Sequence, residues 1–238
     1  MTAEAQPPTQ SPRREPEFDR YSASYADLLD DPIRSQFASD PLYFHRKKVD
    51  LIAAMLRGQG KNSRTMKWLD VGCGQADLLR LGRSLFAEAV GCDPAGTMLP
   101  EATDFPVYVQ PSPEKLPFED RSMDFITAVC VFHHVHGPAR ASLAGEIRRV
   151  LAPGGFFCLI EHNPWNPVTR GIVKRCPVDV DAELLVAPEA KALLASAGLT
   201  PVQTRFFLYL PEKLKTVSAV ERWLGAIPLG GQYAILCR

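Results

Sequence analysis

The chain has 238 residues, with 27 basic and 27 acidic side chains and a formal charge of zero. That balance supplies no global field for nucleic acid or anionic lipid, and no apolar run reaches the ~18 residues of a membrane span. The start Met1-Thr2-Ala3-Glu4-Ala5-Gln6 lacks a signal peptide's basic and apolar regions. Six cysteines (73, 92, 130, 158, 176 and 237) contain no Cys-x-x-Cys pair and read as free thiols of a reducing compartment, so the expected location is the cytoplasm.

Residues 1–16 are rich in Pro, Gln, Ser and charge, the composition of a disordered tail. Residues 17–238 are expected to form a single domain, with a helical cover over 17–65, a ligand-binding core over 66–161 and acceptor-side elements over 162–238. In the cover, Tyr21, Tyr25, Leu28, Leu29, Ile33, Phe37, Tyr43 and Phe44 are spaced for short helices, and Leu42 to Leu56 for a longer one. The apolar run ending at Val71 reads as a central parallel strand. Gly72 and Gly74 then permit a tight turn against a ligand, and Ala76 to Phe86 has helical spacing.

Further strands are expected at Ala89–Asp93, Val107–Val109 and Ser122–Val131. The segment Arg148–Phe156 reads as a helix end, a Pro-Gly-Gly turn and the start of a strand over Gly155–Glu161. A helix over Pro188–Ala197, a strand over Val202–Leu210, helical periodicity over Glu212–Leu224 and a strand over Gln232–Cys237 complete the count. Strands alternating with helices predict an α/β fold, doubly wound around a mostly parallel sheet of seven strands.

The glycine turn selects among ligands. A dinucleotide fingerprint needs a small third residue under the pyrophosphate, and Asp77 occupies that place. Asp70 stands just before the glycines, so two carboxylates oppose an anion where a helix N-terminus would attract one. A cationic ligand is held instead. Asp93 ends the next strand about twenty residues beyond the first glycine, where a carboxylate accepts hydrogen bonds from a ribose diol.

These segments together resemble motif I and its successors in the class I S-adenosylmethionine-dependent methyltransferases. The resemblance implies a Rossmann-like sheet of order 3-2-1-4-5-7-6 with the last strand antiparallel, and S-adenosylmethionine as cofactor. It further implies that Gly72, Cys73 and Gly74 line the methionine part, Asp70 anchors its amino group, and Asp93 holds the ribose. Pro94 and Met98 would lie near the adenine. Ser112, with Pro113 and Glu114, stands where the family usually has an adenine-binding aspartate, a weaker acceptor in its place. Cys130 would close the pocket at the end of strand four, and Tyr21 and Tyr25 would cover it. Glu161–Pro167 and Ile227–Tyr233 look like a bacterial subgroup acting on metabolites or glycan-linked compounds.

Ligands of open α/β sheets bind beyond the carboxyl ends of the strands, so the residues after strands four and five are the natural reactive groups. Neutral imidazole suits proton removal from a hydroxyl near pH 7, which makes His134 and His162 the catalytic candidates. His133, His134 and His136 invite a metal reading, but adjacent histidines rarely share an ion. No Cys or Asp completes a ligand set nearby, so no metal is expected. Arg170, Lys174 and Arg175 share a helical face that either holds an acceptor's anionic tail or is simply solvated, balanced by Asp179, Asp181 and Glu183. A nucleic-acid amino-methyltransferase would carry an Asn/Asp-Pro-Pro-aromatic tetrad after strand four. Cys130-Val131-Phe132-His133 stands there instead, while Asn163-Pro164-Trp165 follows strand five. The expected activity is methyl transfer to a small molecule, with neither nucleic acid nor membrane as partner. The alternatives are a catalytically silent S-adenosylmethionine-binding module acting through a protein partner and an NAD-dependent oxidoreductase.

Overall fold

A computed structural model describes residues 17–29, 31–40, 42–214 and 224–238. The tail 1–16 and most of the periodic stretch Glu212–Leu224 lie outside the described residues. The strands are β1 Lys67–Val71, β2 Glu88–Asp93, β3 Val107–Val109, β4 Met123–Val129, β5 Leu151–His162, β6 Pro201–Phe207 and β7 Gln232–Cys237. They form one seven-stranded sheet in the order β3-β2-β1-β4-β5-β7-β6. β7 runs antiparallel to both of its neighbours and the other pairings are parallel, as expected from the sequence.

The central strands are buried on both faces and therefore read as continuous apolar runs. Leu69 and Val71 of β1 enter one core with Phe157 and Leu159 of β5, beneath helices α5 (Pro138–Val150) and α7 (Ala187–Ser196). Trp68, one residue out of phase, enters the other core beneath α3 (Tyr43–Gly58) and α4 (Asp77–Gly82). The cover before the sheet is a 3-10 turn at Glu17–Ser24, then α1 (Tyr25–Leu28), α2 (Pro32–Phe37) and α3. Asp31 starts α2 by accepting hydrogen bonds from the Ile33 and Arg34 amides.

Of the boundaries that differ from the sequence expectation, three have a local cause in packing or backbone geometry. The helix after the glycine turn ends at Gly82 and continues as a 3-10 turn over Arg83–Leu85. Gly82 lies against Trp68, and a Cβ there would stand 3.0 Å from the indole, so this glycine serves close helix–strand packing. Pro153-Gly154-Gly155 falls inside β5 rather than before it. The strand begins at Leu151 directly after α5, pairs once with Met123, and shifts register before Phe125 meets Phe156. A Cβ on Gly155 would stand 2.7 Å from the Asp124 carbonyl, so the bulge needs a glycine. The strand expected to reach Leu210 ends at Phe207, because Leu208 turns into the left-handed region at φ 62°.

Two glycines give a matched test of this packing. A Cβ on Gly230 would lie 2.4 Å from the Phe207 carbonyl oxygen, whereas one on Gly58 would meet nothing within 4 Å. Gly230→Ala is expected to destabilise by about 2 kcal/mol, and Gly58→Ala to stabilise by up to about 1 kcal/mol. Paired urea melts check both signs.

Candidate active site

The site lies beyond the carboxyl ends of β1, β2, β4 and β5 and has two halves. In the first, Asp70 is 3% exposed and accepts a 2.6 Å hydrogen bond from Thr127 Oγ1. Trp68 Nε1–H donates to the same hydroxyl oxygen at 2.8 Å. Burial pushes the Asp70 carboxyl up to about 7, against the opposing pull of Thr127 and Lys48. Lys48, from α3, is itself buried and is the cation whose field reaches Asp70, Cys130 and His162.

The turn after β1 is fixed by backbone bonds. The Gly72 and Cys73 amides donate to the Cys92 carbonyl at 2.8 and 3.1 Å. Gly72 has φ +69° and Gly74 φ +49°, a region that glycine enters without strain. At Gly72 a Cβ would also lie 2.4 Å from Val131 Cγ2. Asp93 closes the turn: one carboxylate oxygen accepts from the Gly74 amide at 2.9 Å and the other from Ala95 at 2.8 Å. Burial raises its pKa while these bonds oppose the rise. Met98 is buried over the turn, its Cε 3.7 Å from where a Gly74 Cβ would sit. Pro94 follows directly on β2.

The structure thus brings Asp70, Gly72, Cys73, Gly74, Asp93, Pro94 and Met98 around one loop. Asp77 has a different role from the one expected. Its carboxylate pairs with Arg80 at 3.0 Å on the first turn of α4, so Asp70 is the buried acid behind the glycines. Ser112, Pro113 and Glu114 form a turn past β3, held from behind by Gln110, whose Nε2 donates to the Ser112 and Pro113 carbonyls at 2.9 and 3.1 Å.

The second half follows β4 and β5. Cys130 sits at φ +57° and turns the chain toward His133. Its thiol is pushed up chiefly by burial, and Gln232 Nε2 donates toward its Sγ at 3.4 Å. Glu161, 1% exposed at the end of β5, accepts from the Val131 and Phe132 amides at 3.1 and 2.8 Å. Its other oxygen meets His133 Nδ1 at 2.5 Å. Burial disfavours charge on both partners. Their mutual attraction prevails, raising His133 to about 10 and holding Glu161 below the usual carboxylate range.

Asp179, from the segment after α6 (Pro167–Arg175), approaches His133 Nε2 at 3.5 Å and His134 Nε2 at 3.3 Å. The two histidines overcome its burial and hold its carboxyl far below the ordinary value. His134 packs edge-on to Phe18 at 4.7 Å, and burial lowers its pKa. His162 lies 5.3 Å from the His133 ring, with Nδ1 3.5 Å from Gln232 Nε2. Burial and the His133 charge bring it down to about 4.

The cover bridges the halves. Asp19 accepts from the Thr97 amide at 3.0 Å beside Met98, while the Tyr21 hydroxyl donates to the Pro177 carbonyl at 3.4 Å. Tyr25 is desolvated near Cys130 and Asp179, which pushes its phenol above its ordinary pKa. Arg175 is taken by Asp31 at 2.8 Å, a bond between α2 and α6. Asn163 is committed to structure, its Nδ2 donating to the Pro228 and Gly230 carbonyls at 3.0 and 2.8 Å.

Sequence reasoning missed Lys48, Thr127, Gln110 and Asp179. Thr127 could have been found as a polar residue in an apolar strand, and Lys48 as a cation on the apolar face of an amphipathic helix. Asp179 gave no signal, because only the fold carries it back to the histidines.

Comparison with known proteins agrees with this geometry. Residues 69–159 match the family model described as a methyltransferase domain. An uncharacterized methyltransferase of Synechocystis sp. is 30% identical over 168 residues, spanning 64% of this chain and 74% of that protein. A demethylmenaquinone methyltransferase of Thermus thermophilus is 29% identical over 192 residues, 78% of each. The crystal structure of an S-adenosylmethionine-dependent methyltransferase from Archaeoglobus fulgidus superposes with a TM-score of 0.60 at 19% identity, covering 83% of this chain and 99% of that one. A buried carboxylate behind a glycine turn, with a second acid across it, fits a ligand carrying ammonium, sulfonium and ribose. The chain belongs to the class I S-adenosylmethionine-dependent methyltransferases.

Proposed function

We propose that this methyltransferase acts on a small molecule, with a hydroxyl of a metabolite or glycan-linked compound as acceptor. The observation that carries this reading is the pair His134 and His162, both lowered in pKa by burial, standing after β4 and at the end of β5 beside the glycine turn and against the aromatic cover. The Thermus relative is named for a small acceptor, demethylmenaquinone, which supports that class. Commitment of Asn163 to loop carbonyls speaks against a nucleobase clamp. No helix among the described residues is long and apolar enough to cross a membrane.

When bound, S-adenosylmethionine supplies a methyl group on a sulfonium, whose carbon–sulfur bond breaks as the acceptor oxygen attacks. Asp70 would hold its ammonium, Lys48 its carboxylate and Asp93 its ribose hydroxyls. Gly72, Cys73 and Gly74 would line the methionine part. Pro94, Met98 and the turn Ser112, Pro113 and Glu114 would border the adenine. Cys130, Tyr21 and Tyr25 exclude water from the reacting edge. His162 takes the acceptor's proton: burial keeps it neutral, at the cost of a weakened basicity. His134, facing Asp179, binds and orients the acceptor. Most of the rate comes from that alignment.

Asp70 makes cofactor affinity depend on pH. Its carboxyl ionises at about 7 in the free protein, and only the anion attracts the ammonium. Affinity for S-adenosylhomocysteine is therefore expected to rise about tenfold per pH unit below that value and to level off above it. Asp70→Asn should bind more weakly with a flat profile, and calorimetric titration at several pH values reads both. The sign for folding is opposite. A carboxyl raised from 3.8 to about 7 stabilises the ligand-free fold at low pH, and that contribution is lost as pH rises through the interval.

A screen of metabolite extracts with methyl-labelled cofactor should yield a labelled product. With the acceptor in hand, His162→Ala is expected to slow turnover about 100-fold while leaving S-adenosylhomocysteine affinity nearly unchanged. A wild-type rate in that variant would leave alignment as the whole of the catalysis.

A further inference from the structure

His133 Nε2 is buried and has no hydrogen-bond partner. Its other nitrogen meets Glu161 at 2.5 Å, which fixes the ring with Nε2 directed at Asp179. The His134 Nε2 atom converges on the same carboxylate oxygen. The two nitrogen–oxygen separations are 3.5 and 3.3 Å, and all three atoms lie within 4.8 Å of one another. Charge-assisted hydrogen bonds close to about 2.7–2.9 Å, so both separations are too long for good ones. They match the edge of a tetrahedron around an ion with bonds of about 2.0–2.1 Å, for which ligand atoms stand roughly 3.4 Å apart.

The geometry points to a divalent transition-metal site formed by His133 Nε2, His134 Nε2 and Asp179, with Glu161 as the carboxylate that orients His133. Two histidines and one carboxylate are a ligand set for zinc-type ions, and three protein ligands leave a position for a further oxygen. A carboxylate on the far nitrogen of a ligating histidine is the usual outer support of such centres. The sequence argued against a metal because no acid stood near the histidine pair, and the fold removes that objection by returning Asp179 from beyond α6. The ion's use, binding the acceptor hydroxyl and lowering its pKa, rests on the acceptor reading above. The existence of the site does not.

The full chain, stripped with a chelator and dialysed, is titrated with Zn2+ by calorimetry and with Co2+ by visible absorption. One equivalent should bind. The Co2+ spectrum should show the bands of low coordination without a thiolate charge-transfer band, which separates this site from the free cysteines. Asp179→Asn should weaken Zn2+ binding at least 100-fold. Glu161→Gln should weaken it 10–100-fold, or, if that buried change prevents folding, His134→Ala serves in its place. S-adenosylhomocysteine affinity, measured on each variant, should stay within a factor of about three. No binding at a hundredfold excess of metal, or equal binding by wild type and Asp179→Asn, overturns the site. Failure of the methyltransferase reading would appear separately, as absence of S-adenosylhomocysteine binding or of labelled product with the metal site intact.

Discussion

A carboxylate held out of water at the end of the central strand sets the terms for the rest of the molecule. In parallel register Asp70 faces Gly91 on one side and Thr127 on the other. A Cβ at Gly91 would lie 2.6 Å from Cys73 Sγ, so the neighbouring strand presents bare backbone there. Thr127 gives Asp70 a single hydroxyl, and its own place is secured by Trp68. An ion so enclosed is costly unless a cation meets it, which is why the ligand that satisfies the fold is a positively charged one. Strand alternation turns Asp70 to the same face as Trp68, and α3 packs on that face, carrying Lys48 to the pocket.

The acceptor half is built around a second buried acid. Glu161 accepts from two successive amides and an imidazole, so one side chain fixes the turn after β4, the tautomer of His133 and the end of β5. Asp179 completes the row from the opposite side. Alternating carboxylates and imidazoles in a dry region polarise one another. Burial, with the positive charge of His133 beside them, lowers the pKa of both His134 and His162.

How much of this could be read from sequence follows from the range of the interactions. The strands were legible because each is a short apolar run punctuated by Gly, Pro or acid. The sheet order came with the family resemblance carried by residues 68–77 and 89–93. The gathering of Asp70, Gly72, Gly74 and Asp93 around one turn was legible too, since the turn is local to the end of β1 and Asp93 ends the next strand beside it. Helix ends were less so: Gly82 and Gly155 act through contacts with Trp68 and Asp124, and no local pattern announces either. Asp77 misled because its position in the motif says nothing of Arg80 one turn on. Asp179 was invisible for the same reason in stronger form, as it reaches the site from an element distant along the chain, and Lys48 showed only as a cation on the apolar face of its helix.

The two halves are mechanically joined at Val131. Its side chain occupies the space that a Cβ on Gly72 would fill, and its amide is held by Glu161, whose other oxygen holds His133. The glycine turn and the imidazole cluster therefore rest on opposite sides of one residue. Close-packed interiors transmit small displacements rather than absorb them. The glycine at 72 is required by this contact as much as by its backbone angle.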